Sequence, residues 1–148
     1  MGIKIKVKFD KNIFNTPRDE IVKSINDDLD YIGSDLLVTS RSLTPRDTGR
    51  LVNSGNLVRY KGTKASTSVS VSYLAKNPKD GFEYSTWTHN ANYNLGEKSR
   101  AKMPIRSRFQ NNSRGVGKGY LIDLAKDCEE NWFKYMDANV DKITKKYR

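Results

Sequence analysis

Ile21, Val22, Ile25, Leu29, Ile32 and Leu36 recur at spacings of three and four, and no other feature constrains the fold as tightly. Side chains so spaced share one face of an α-helix, so the pattern predicts a long amphipathic helix over roughly 16–41. Thr16 can cap it, Pro17 suits its first position, and Asp19 stands where a capping-box acid stands. Gly33 reads as a weak point inside it. Asp27, Asp28 and Asp30 point in different directions around such a helix, which favours a solvated face over a metal site. An apolar stripe must be covered. Leu121, Leu124, Ala125, Cys128, Trp132, Tyr135, Met136 and Ile143 form a second stripe, predicting a C-terminal helix over roughly 119–145 and a frayed basic tail, KITKKYR.

The remaining apolar residues follow a period of two. Ile3, Ile5, Val7 and Phe9 alternate with Lys4, Lys6 and Lys8, which predicts a half-buried strand over 3–9 with a wet lysine face. Lysines in that register also blunt an exposed sheet edge. A DNA-binding stripe is the sharper reading of them, and a solvated face the plainer one. NLVRYK at 56–61 and TSVSVSY at 67–73 predict two more strands joined by a loop around Gly62. FEYSTWTH at 82–89 reads as a further strand, with Phe82, Tyr84 and Thr86 or Thr88 on one face. The sheet is thus expected over about 55–89.

The tetrapeptide TPRD occurs at 16–19 and again at 44–47. The first copy opens the long helix. The second runs into Thr48-Gly49, and glycine halts helical propagation. Thr44, Asp47 and Thr48 carry side chains that bond nearby backbone amides, and Leu51 is an apolar plug. This copy predicts a fixed corner between helix and sheet, with a short helical turn over Arg50 to Ser54.

Residues 90–119 form the unusual stretch. Lys98, Arg100, Lys102, Arg106, Arg108, Arg114 and Lys118 lie between 98 and 118 with no acid among them. A long structureless loop is uncommon in a compact domain unless functional, so this segment reads as a partner-binding arm. GVGKG at 115–119 lacks the spacing of a phosphate loop and reads as a flexible hinge.

The net charge of +10 favours nucleic acid, an anionic surface or an acidic protein as partner. One cysteine excludes an intrachain disulfide, and Cys128 with His89 alone cannot make a zinc site. Cys128 lies in an apolar stripe, as a packed thiol does. No apolar run reaches the length of a membrane span, and MGIKIKVKFD lacks a signal-peptide core. The reading is a soluble protein made in the cytoplasm, with no membrane partner. A single histidine, no G-x-S-x-G elbow and no dinucleotide fingerprint argue against an enzyme, so catalytic residues, metals and cofactors are assigned as none.

TPRDTGRLVNSG at 44–55 resembles the Pro-x-Asp-Thr-Gly-x-Leu-x-x-Ser signature of tail-completion (neck, or minor capsid) proteins of tailed bacteriophages. Its matching residues are Pro45, Asp47, Thr48, Gly49, Leu51 and Ser54. An expected strand ending Tyr84-x-x-x-x-His89, followed by Asn90, is similar to the family's second landmark, and Gly117-Lys118-Gly119-Tyr120-Leu121 to its third, differing in spacing. The order of elements is also similar, so the resemblance covers about Thr16 to Ile143. The long basic 90–119 stretch departs from the pattern.

The expected fold is a single α+β domain over 1–148. Long N- and C-terminal helices pack on a small antiparallel β-sheet, with a long basic loop. The resemblance implies a virion protein at the head–tail junction. It would form a homo-oligomeric ring joining connector and tail proteins, with genomic DNA passing through. The signature corner would be a structural site and interface, and Arg100, Lys102, Arg106, Arg108, Arg114 and Lys118 would contact a partner. Trp87 and His89 would secure the strand end against the arm. A neck protein predicts an arm ordered by neighbouring subunits and slight DNA affinity. The alternative, a basic nucleic-acid-binding module, predicts binding that falls steeply with salt. Tyr93 and Phe109 are the only aromatics in the arm, which is sparse for a single-strand binder.

Overall fold

A computed structural model describes residues 1–9, 18–60 and 66–147. The expected cap at Thr16-Pro17 and the loop around Gly62 lie outside these residues. Strand β1 (Gly2–Lys8) leads to helix α1 (Arg18–Leu43). The short helix α2 (Arg50–Asn53) precedes strands β2 (Asn56–Tyr60) and β3 (Ser66–Ser72). Short helices α3 (Ser85–Asn90) and α4 (Glu97–Arg100) follow, then the long helix α5 (Ile122–Lys145). Architecture and class are the expected α+β arrangement, with both long helices against a small antiparallel sheet.

The sheet has three strands in the order β1-β3-β2, each antiparallel to its neighbour. β1 is an edge strand, as its lysines anticipated. Ile5 faces Val69 and Ile3 faces Val71 across one pair, and Leu57 faces Val71 across the other. This inner face lies against α1, which buries Ile21, Ile25, Leu29, Ile32 and Leu36. α5 closes the core with Leu124, Cys128, Trp132 and Met136. Burial raises the Cys128 thiol to about 11, as expected of a packed cysteine.

Gly33 is no weak point. A Cβ there would sit 2.6 Å from Val69 Cγ2 and 2.9 Å from Leu57 Cδ1. The glycine lets α1 approach the sheet this closely.

The solvated-face reading fails at Asp28, which is buried between α1 and α5. Its Oδ1 accepts from Asn139 Nδ2 at 2.9 Å, and its Oδ2 has no partner among the described residues. Desolvation raises its carboxyl above the usual range, which the Asn139 bond partly offsets. Asp30 instead pairs with Arg59 at the sheet margin. No cluster of His, Cys, Asp and Glu able to hold a metal occurs among the described residues.

Residues 82–89 are not a strand. A single bridge joins Lys76 to Glu83, and then α3 begins. The Glu83 carboxylate accepts the Ser85 N–H at 2.7 Å, which starts a helix. The buried residues are Ser85, Thr88 and His89, a spacing of three and four, while Phe82 stays exposed. The sheet therefore occupies 2–8, 56–60 and 66–72, not 55–89, and its third strand is the N-terminal one.

The basic tail is tied down rather than frayed. Lys146 Nζ and Tyr147 Oη both donate to Glu20, at 3.2 and 2.5 Å.

Candidate functional site: a groove at the corner

α1 ends before Pro45, which disfavours helical backbone at Thr44. Its last carbonyls need partners. Thr44 Oγ1 donates to Ser40 O at 2.7 Å. Gly117 N–H donates to Leu43 O at 2.9 Å. Lys102 Nζ donates to both Arg41 O, at 2.6 Å, and Thr44 O, at 2.5 Å. A cation at this end also complements the helix dipole. Three of these four carbonyls thus find their donors, Gly117 and Lys102, in the basic segment, which folds back as a strap across the end of α1.

The corner itself is built on Gly49, whose φ of 86° is the left-handed region open to glycine. Thr48 Oγ1 accepts the Arg50 N–H at 3.3 Å, and buried Leu51 plugs the turn. Ser54 Oγ closes it by donating to Leu51 O at 2.8 Å. Thr44 bonds a carbonyl instead of the expected amide. The Asp47 side chain makes none of the expected bonds among the described residues and is exposed. Its carbonyl accepts from Lys98 Nζ at 3.1 Å.

The strap meets the corner through Ser99, which is buried. Ser99 Oγ accepts the Arg46 N–H at 2.8 Å and donates to Arg46 O at 3.1 Å. Between corner and strap an open groove of about 860 Å³ remains. Pro45, Asp47, Thr48, Gly49 and Leu51 line one side, and Trp87 and Tyr93 another. The two rings stack with centroids 5.6 Å apart and planes 20° apart, leaving Trp87 53% exposed. Tyr93 Oη donates to Thr88 O at 2.7 Å, and burial pushes its hydroxyl up to about 12. Arg46, Arg50, Lys79 and Lys98 oppose Asp47 and Glu97 around the rim, which leaves a positive excess.

His89 does not sit at a strand end but inside α3, where it is buried. Its Nε2 accepts the Ile122 N–H at 3.0 Å, so Nδ1 carries the proton donated to Asn90 Oδ1 at 2.9 Å. The ring thereby caps α5. The His89 carbonyl accepts the Gly119 N–H at 2.9 Å. Gly117 and Gly119 are thus fixed turn positions, both with positive φ, rather than a flexible hinge.

The six arm cations are not equivalent. Lys102 is consumed within the chain. Arg108 spreads over the Tyr31, Phe109 and Tyr135 rings at 5.8, 5.5 and 5.3 Å. Arg106 reaches Asn111 O at 3.2 Å, Arg100 reaches Leu95 O at 3.0 Å and Lys118 reaches Asn92 Oδ1 at 3.4 Å. Arg114 is half-buried, with its Nε unpaired among the described residues. The expectation of an arm without its own structure fails. Ser107, Phe109 and Gln110 are buried, and Asp127 Oδ2 accepts from both Asn111 and Asn112 backbone N–H groups. Sequence reasoning missed Asp127 and Ser99. Their signals, one acid among several on α5 and a serine among cations, look like ordinary surface.

Desolvation, with Arg46 nearby, pushes the Lys102 ammonium down to about 8. The unfolded chain holds that proton up to about 10.5. Between these values the unfolded state binds more protons, so the Lys102 contribution to stability rises with pH. The penalty for burying the charge is fully present below pH 8 and gone above 10.5. The neutral amine keeps hydrogens for both carbonyls. Urea unfolding of the parent and Lys102→Gln across this window is expected to show the gap moving in the parent's favour as pH rises. A gap independent of pH contradicts the assignment.

No helix among the described residues is long and apolar enough to cross a membrane. Comparison with protein-family models, with curated proteins and with solved structures finds no match for this chain.

Proposed function

We propose that this chain is a structural virion protein of a tailed bacteriophage, one subunit of a neck ring that joins the head connector to the tail. The observation that carries the reading is the groove. Of the six residues that resemble the neck-protein signature, Pro45, Asp47, Thr48, Gly49 and Leu51 line it, while Ser54 closes the turn behind them. A corner that merely joined helix to sheet would not need an exposed tryptophan stacked beside it. The described residues leave the groove open, so the rim is available to a neighbour.

A closed ring needs a convex surface as well as a concave one. The strap offers Met103, 86% exposed, followed by Pro104 and Ile105. Arg100 and Arg106 flank this knob, and it suits an acidic, apolar patch on a connector or tail protein. The protein would be made in the host cytoplasm and would act in the virion without catalysis. The resemblance of the corner supports the same reading; the second landmark departs from the pattern, because the stretch ending at His89 is helix α3 and not a strand.

Gold-labelled antibody against the chain tests the placement. The expected result is label confined to the head–tail junction of whole virions. Label spread over the head shell or the tail, or none on purified virions, overturns it.

A further inference from the structure

The open face of the sheet has no role in the groove or the strap. Register places Lys4, Lys6 and Lys8 on that face, across from Ser70, Ser68 and Ser66 of β3. On the other side of β3, Asn56, Val58 and Tyr60 face Ser72, Ser70 and Ser68. The helices α1 and α5 pack on the opposite face, where Val69, Val71 and Tyr73 are buried. All three lysines are exposed, and Tyr60 is 50% exposed with Lys4 Nζ 4.9 Å from its ring centre. None of the strand residues on this face is acidic.

We infer that this face contacts the phosphate backbone of duplex DNA. Alternate residues of a strand stand about 6.8 Å apart, close to the spacing of successive phosphates along one DNA strand. Three lysines in register therefore meet three consecutive phosphates. Serine, asparagine and tyrosine groups beside them are the neutral donors that phosphate oxygens accept. An acidic polypeptide could meet the charge, but among the described strand residues of this face only Val58 and Tyr60 are apolar enough to anchor its side chains. The contact is independent of base sequence and, with three charges, weak for one protomer. A ring would multiply it. The inference rests on the neck reading only for the nucleic acid being duplex DNA threading a ring. The assay below scores the face alone, whereas the neck reading is scored on particles.

The test is fluorescence anisotropy of a short labelled duplex DNA with the full chain over a series of KCl concentrations. Lys4→Gln, Lys6→Gln and Lys8→Gln together are expected to weaken binding at low salt by about tenfold or more. The slope of log affinity against log salt should fall by about 2.7, from three phosphate contacts at about 0.9 each. Ser70→Glu leaves every lysine in place and puts a negative charge at the centre of the face, so it should weaken binding comparably. Removing Arg100, Arg106 and Lys118 from the strap as glutamines should change affinity less than about twofold. Melting temperatures of all variants confirm that they fold; should the lysine triple fail to fold, Ser70→Glu decides. Four results overturn the inference: a parent chain that does not bind, sheet variants that bind like the parent, loss confined to the strap variant, or polyglutamate competing as well as DNA at equal charge.

Discussion

Gly33→Ala is expected to lower stability by about 1–2 kcal/mol, the reverse of what alanine does in an ordinary helix interior. In a free helix the change would gain up to about 1 kcal/mol. Here the new methyl meets the Val69 and Leu57 side chains at 2.6 and 2.9 Å. Val69 is β-branched, stiff and fixed in the central strand, so it cannot swing aside. Either α1 moves off the sheet or the sheet bends, and overpacking of this kind costs about 1–3 kcal/mol. Urea unfolding of the two proteins measures the difference. Pairing Gly33→Ala with Val69→Ala should cost less than the sum of the single changes, because the smaller residue makes room. A stabilised single variant, or strict additivity, would mean the close approach is not there.

His89→Ala is expected to cost about 2–4 kcal/mol, from an orphaned donor and the space the ring leaves. The Ile122 N–H at the start of α5 loses its acceptor, and the N-cap residue Leu121 has no side-chain acceptor to replace it. The ring also meets Tyr120 edge-on, with centroids 5.0 Å apart. His89→Gln supplies a carbonyl oxygen and should recover part of the loss. Amide hydrogen exchange separates the cap from general packing. Ile122 should exchange much faster in His89→Ala, and amides in mid-α1 should slow or speed only with global stability. An Ile122 amide as protected as in the parent would contradict the capping role.

How much of this was legible depended on whether a segment's period matched its burial. Both long helices could be read because Ile21 to Leu36 and Leu121 to Ile143 each carry one face for one core. β1 and β3 could be read because apolar and polar residues alternate strictly. Residues 82–89 could not, since aromatic and threonine residues favour a strand until Glu83 caps Ser85 and a helix wins. Gly33 and Asp28 misled for a common reason: their roles come from partners distant in sequence, Val69 for one and Asn139 for the other. The strap misled in the same way. Its charges resemble a free arm, but Lys102, Ser99 and Asn112 are satisfied by the end of α1, the corner and Asp127. Of the candidate site, Thr48, Gly49 and Leu51 were legible from their turn chemistry, whereas Thr44 and Asp47 do not make the amide bonds expected of them. The stacking of Trp87 on Tyr93 was not, because nothing local in the sequence brings the two rings together.

The central claim is that this chain joins head to tail. Electron microscopy of particles assembled in infected cells that lack it tests that claim most directly. The account predicts full heads beside free, finished tails, and whole virions once the purified protein is added back. Normally joined particles formed in its absence would contradict it.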